Sequence, residues 1–141
     1  MASPAIEIKD FLVTNSVGVF GATTGWGIYV GSEPEDPDTV ITLFDSPGET
    51  ANPKFSLDFP RWKVLVRSNP NDYISAYDKS KEIKDVLQGL LPQSLSGTFY
   101  DGIFIIGDIF FLQSDRKGRP EFISNWRGIL EPPASGNRIA L

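Results

Sequence analysis

The residue types left for chemistry are acids, hydroxyls and lysines, because the 141-residue chain has no histidine and no cysteine. That excludes a thiolate zinc site, a disulfide framework and any nucleophile driven by a histidine base. Seven acids and one lysine fall between Gly31 and Pro60: Glu33, Glu35, Asp36, Asp38, Asp45, Glu49 and Asp58, with Lys54. Carboxylates are calcium ligands, but these lack the ordered spacing of a calcium loop, and prolines interrupt them. They read as a solvated or partner-facing acidic surface, with Glu33, Glu35, Asp36 and Asp38 in one proline-broken acidic loop. The triplet Glu-Ile-Lys of metal-dependent nucleases occurs at Glu7–Lys9 and Glu82–Lys84. Both copies fall in segments of helical periodicity, where alternate residues diverge. "GATTGWG" lacks the strand-to-helix setting and the Lys-Ser/Thr pair of a phosphate-binding loop. No spacing pairs a nucleophile with a base. The residues therefore point to no catalytic side chain, no metal and no cofactor, and not to an enzyme.

Two features ask for a partner instead. In "RWKVLVR" Trp62, Val64 and Val66 point one way and Arg61, Lys63, Leu65 and Arg67 the other. The second set is a basic strip close in sequence to the acidic loops. It is either an ordinary solvated face or half of a charge-complementary contact between subunits. In "GIFIIGDIFFL" Phe104, Ile106, Phe110 and Leu112 alternate with Ile103, Ile105, Ile109 and Phe111, so both faces are apolar. One helix layer does not easily cover both, which points to self-association. Otherwise both helices cover one face while the sheet curls over the other.

The elements that must position these residues follow from periodicity and caps. A helix is expected over about 4–14, with Ser3 as cap, Pro4 in the first position and Ile8, Phe11 and Leu12 on one face. A longer helix is expected over about 70–91, capped by Asn69, with Pro70 and Asp72 in its first turn. Its stripe of Tyr73, Tyr77, Ile83, Val86, Leu87 and Leu90 should face Trp62, Val64 and Val66. Strands are expected in "WGIYVG", "TVITLFD", "RWKVLVR", "GTFYDGIFIIGDIFFLQSD" (bent or bulged at Gly107) and "PEFISNWRGIL". The resulting fold class is α+β, a mostly antiparallel sheet packed against two helices. A single domain over 1–130 is followed by an extended C-terminal arm over 131–141. The connection "DSPGETANPKFSLDFP" is too long for a tight hairpin and reads as a contact loop.

The net charge of −5 and pI of about 4.6 argue against nucleic-acid binding through a broad basic surface. The N-terminus lacks the basic region of a signal peptide, and no apolar run approaches membrane-spanning length. A soluble intracellular product, or one released by lysis, is expected, with no membrane partner.

Three ordered blocks cover most of the chain: "YVGSEPEDPDTVITLFDSPGE", "FPRWKVLVRSNPNDYISAYDKSKEIKDVL" and "FFLQSDRKGRPEFISNWRGIL". Within them stand an acidic P-x-x-P-D turn (Pro34, Pro37, Asp38), a D-S-P-G (Asp45–Gly48) and a D-x-x-G-R hairpin (Asp115, Gly118, Arg119). This pattern resembles the small tail terminator, or minor capsid, proteins of long-tailed bacteriophages. Pro120 inside a strand and the length of the arm depart from it. The resemblance implies a structural virion protein of the tail or neck, made in the host bacterial cytoplasm and without catalysis. It implies a homo-oligomeric ring, usually a hexamer, on the end of the tail tube. The ring would stop tube growth and offer a surface for head–tail joining. Its partners would be other copies of itself, the tail tube protein and head–tail connector proteins, and DNA would pass through its lumen without specific binding. Expected subunit or tail-tube contacts are Asp45, Gly48, Glu49, Arg61, Lys63, Arg67, Asp115, Arg119 and Trp126. The alternatives are a head-completion or neck connector, and a small domain binding a divalent metal through the acidic loops.

Overall fold

The computed structural model describes residues 1–141. In chain order the elements are α1 (Pro4–Thr14), β1 (Val19–Phe20), β2 (Gly27–Val30), β3 (Val40–Glu49), β4 (Phe59–Arg67), α2 (Tyr73–Leu87), β5 (Gln93–Leu95), β6 (Thr98–Ser114) and β7 (Pro120–Glu131). All strands join one seven-stranded sheet in the order β1-β2-β3-β4-β7-β6-β5. The sheet is mixed, which corrects the expectation of a mostly antiparallel one: β1–β2 and β2–β3 run parallel, the other pairs antiparallel. The reason is length. β1 and β2 are so short that plain loops return the chain to their starting ends, with no crossover helix.

Both helices lie on the Trp62 face of the sheet. Ser3 caps α1 by accepting from the Ile6 amide, and Pro4 opens it. Ala5, Ile8 and Leu12 of α1 and Ile83 and Leu87 of α2 join Ile41, Leu43, Trp62, Val64, Val66, Tyr100, Ile103, Trp126 and Leu130 in one core. Trp62 meets Tyr100 edge-on, 6.5 Å between ring centroids. The long helix is shorter than the expected 70–91. Asn71 has φ 63°, a left-handed conformation that bars it from a helix. The cap therefore falls on Asp72, whose Oδ1 accepts from the Ser75 amide, and not on Asn69. Gly89, at φ +79°, closes the far end. The buried side of α2 is Ala76, Ser80, Ile83 and Leu87. Tyr73 and Tyr77 stay half-exposed, their rings against Phe122 at 4.8 and 5.7 Å.

The bulge at Gly107 is present. Ile106 pairs with Asn125 and Phe110 with Ile123, so residues 107–109 stand opposite Ser124 alone. Gly107 has φ +72°, which suits the extra residues. Asp108 leaves the bulge to meet Lys84 of α2 at 3.0 Å.

β3 and β4 run past their expected ends, so the long loop shrinks to 50–58. Asn52 Oδ1 folds it by accepting from the amides of Lys54 and Phe55. The C-terminal segment lies back against it. The Ser56 amide donates to the Ile139 carbonyl at 2.7 Å, the Ile139 amide to the Lys54 carbonyl at 2.9 Å, and Arg138 reaches Asp58 at 2.7 Å.

Candidate interaction surface

Strand register gives the face opposite the helices four cross-strand rows. They are Val40–Arg67–Glu121–Gln113, Thr42–Leu65–Ile123–Phe110, Phe44–Lys63–Asn125–Ile106 and Ser46–Arg61–Arg127–Phe104. The first row closes one end of this outer face and the last row the other, and the two ends are built differently.

At the first end the acidic loop 33–38 folds over two buried arginines. Arg67 donates through Nε to the Asp38 carbonyl (3.1 Å) and through Nη1 to Glu33 Oε1 (2.9 Å). Its Nη2 donates to the carbonyls of Pro34 (2.8 Å) and Pro37 (2.6 Å). Arg119 donates through Nε to Asp115 Oδ2 (2.7 Å) and through Nη1 to the Glu35 carbonyl (2.7 Å) and Asp38 Oδ1 (3.0 Å). Each guanidinium is only 1–2% exposed as a residue. Such charge-assisted bonds are shorter and stronger than neutral ones, and the planar fork suits several acceptors at once. Beside them is a cavity of about 440 Å³ with no apolar side chain in its lining. There burial, and then the hydrogen bond and charge of Glu121, push the Glu33 carboxyl up to about 7, against the pull of Arg67. The second Glu33 oxygen is buried without a donor. Asp115 sits in the turn before Arg119. Burial works against its charge, but the backbone and side-chain bonds from Arg119 and the Lys117 amide hold it below its ordinary value. Lys117 does the same for Glu35 at the surface.

The other end is open. Arg61 meets Glu49 at 2.9 Å and Arg127 meets the same carboxylate at 3.9 Å. Arg127 stacks over the Phe104 ring at 5.7 Å and Lys63 over Phe44 at 5.2 Å. Lys63 has no ion pair. The β6 members of the last three rows stay in water: Phe104 is 41% exposed, Ile106 37% and Phe110 45%. The neighbouring free edge of β6 is guarded. Gln88, the C-cap of α2, accepts from the Ile105 amide at 2.8 Å, and the bulge presents charged Asp108.

The residues expected to make contacts thus separate into three places. Glu49, Arg61 and Lys63 share the open end. Arg67, Asp115 and Arg119 join Glu33, Glu35 and Asp38 in the clamp, while Asp36 is left exposed at the tip of the loop with no ion pair. Asp45 and Trp126 lie on the helix face. Asp45 accepts from the Ala5 amide at 3.0 Å, at the positive end of α1. Trp126 is fully buried and donates to Ser124 Oγ. Gly48 sits in the register shift between the Ser46–Arg61 and Glu49–Phe59 pairs of β3 and β4, and a Cβ there would stand 2.6 Å from the Phe59 carbonyl oxygen. Sequence reasoning missed Glu121, Arg127 and Gln113. The alternation of "PEFISNWR" places Glu121 and Arg127 on one side, but only the β4–β7 register brings them to Arg67 and Arg61. It also missed Glu7, fully buried in α1, which accepts from Thr98 Oγ1 and from the Tyr100 hydroxyl at 2.9 Å. Burial and that carboxylate push the Tyr100 hydroxyl up. No group of three or more acids is gathered so as to hold a metal ion, and no helix is long and apolar enough to cross a membrane.

The model of a family described as bacteriophage tail terminator protein matches residues 11–130. No curated protein matches. Among solved structures, a chain in the virion of a native gene transfer agent (GTA) particle superposes with a TM-score of 0.58 at 13% identity. The likeness covers 73% of this chain and 77% of that one, and at this identity it concerns the fold.

Proposed function

The chain belongs to the bacteriophage tail terminator family, and from that premise we propose that it closes into a ring, six copies in the simplest case, on the end of a tail tube. There it ends tube polymerisation and offers the surface on which the head is joined. Membership of that family supports a structural role in the phage tail and a place in the virion. The observation that carries the finer reading is the open outer face. A 141-residue domain keeps both helices on one side of its sheet and leaves Phe104, Ile106 and Phe110 in water beside three cations. Exposed apolar area of this kind, rimmed by charge, marks a surface that is covered in the assembled state.

The ring needs no catalytic group. Its work is to present one flat end to the tube and another to the head, while the lumen lets DNA pass. A net charge of −5 suits that passage, because like charge disfavours sticking to phosphate. The test is to mix the purified protein with growing tail tubes, with the copies bound per tube end counted by light scattering and imaging. Binding of a closed set of copies at one end supports the reading. Even binding along the tube, or none, opposes it.

A further inference from the structure

A ring built from one kind of chain needs two different surfaces that fit each other, since a head-to-tail contact repeats around the axis. The outer face carries two such surfaces at its opposite ends. The loop 33–38 exposes acid at its tip, and Asp36 there has no ion pair. The open end carries Arg61, Lys63 and Arg127 against the single acid Glu49, and Lys63 has no ion pair. Arg67 and Arg119 bond four carbonyls of the loop and so hold its tip in one shape before any contact is made. Preorganisation of that sort lowers the entropic cost of docking. The free edge of β6, the obvious alternative route between subunits, is interrupted by Gln88, which takes the Ile105 amide, and by the bulge at 107–109.

We propose that the clamped acidic tip of one copy, led by Asp36, docks on the basic and aromatic open end of the next copy, centred on Lys63 with Arg61, Arg127 and Phe104. The occupant of the open end is thus a second copy of this chain. The choice rests on charge complementarity, since the same chain supplies an unpaired acid at one end of the face and an unpaired base at the other. This inference rests on the ring reading above and says which surfaces build the ring.

Three full-length variants test it: Lys63→Glu, Asp36→Lys and the two combined. Each single change places like charges across the contact, and should raise the concentration needed to cap tubes by about tenfold or more. Melting temperatures should move little beside the loss of capping, because neither residue has an ion pair within the monomer and the stacking of Lys63 over Phe44 contributes only weakly. The combined variant restores attraction and should cap again. An equimolar mixture of the two single variants should cap again, since both mixed contacts are attractive: the native tip of the Lys63→Glu variant meets the native open end of the other, and the reversed tip meets the reversed open end, so the two alternate around a ring. Three outcomes overturn the proposal: single variants that cap like wild type, a combined variant that stays as defective as the singles, or a mixture that stays as defective as either single variant alone. A wild-type chain that never rings or caps overturns the ring reading itself, a failure the variants do not mimic.

Discussion

Arg67 and Arg61 stand on the same strand and the same face, three rows apart, and meet opposite surroundings. Arg67 is buried under the carbonyls of residues 34, 37 and 38 and the carboxylate of Glu33. Arg61 lies half in solvent with Glu49 as its ion-pair partner. The same contrast separates Arg119, just before β7, from Arg127 within that strand. At the clamped end the guanidinium organises its own chain, and at the open end it stays partly in solvent. A surface ion pair contributes about 0–1 kcal/mol, whereas removing one member of a buried network leaves its acceptors stranded. Charge of one sign on one face therefore serves folding at one end and, in the docking proposed above, recognition at the other.

The largest break in that comparison is Arg67→Ala. It strands several buried carbonyls and the Glu33 carboxylate, and should cost about 3–5 kcal/mol in urea unfolding. Lys63→Ala, on the same face, should stay within about 0.5 kcal/mol of wild type. Equal losses for the two would erase the distinction between the ends.

Next in size is a pH effect at the clamp. Glu33 titrates at about 7 in the fold against 4.5 in an ordinary setting. Between those values the folded chain holds a proton that the unfolded chain has released. The contribution is thus fully present below about pH 4.5 and is lost as pH rises through 7. Thermal stability should fall from pH 5 to about 8, and Glu33→Gln, which keeps the geometry without the titration, should flatten that slope. The slope should leave the open end untouched, so Lys63→Ala should follow the wild-type curve.

A smaller effect is expected from removing residues 134–141. They bridge the 52–58 loop through two backbone bonds and the Arg138–Asp58 pair. Their loss should cost about 1–2 kcal/mol and speed proteolysis after Lys54, with far-ultraviolet circular dichroism unchanged.

Much of the fold was legible because it rests on local signals. Ser3 and Pro4 mark the start of α1, the alternation of 61–67 separates core from outer face, and Gly107 marks the bulge. What stayed hidden depends on contacts distant in sequence. Nothing local distinguishes Arg67 from Arg61. Their fates part only when the loop, about thirty residues upstream, returns over one and not the other. The parallel pairing of β1, β2 and β3 was obscured for a similar reason, since strands of two and four residues carry almost no periodicity. The cap of α2 moved because Asn69, Asn71 and Asp72 all suit that position, and only the left-handed Asn71 decides between them. Of the contact residues, the motif around Asp115, Gly118 and Arg119 turned out to build the clamp within one chain. Arg127 and Glu121 needed the register of β7 before they could be seen.

The measurement that bears most directly on the central claim is negative-stain imaging of tail tubes polymerised with and without the purified protein. Tubes of limited length that carry one ring of this protein at a single end are expected, while tubes grown without it continue to lengthen. Tubes that elongate equally in its presence, with bare ends, would contradict that claim.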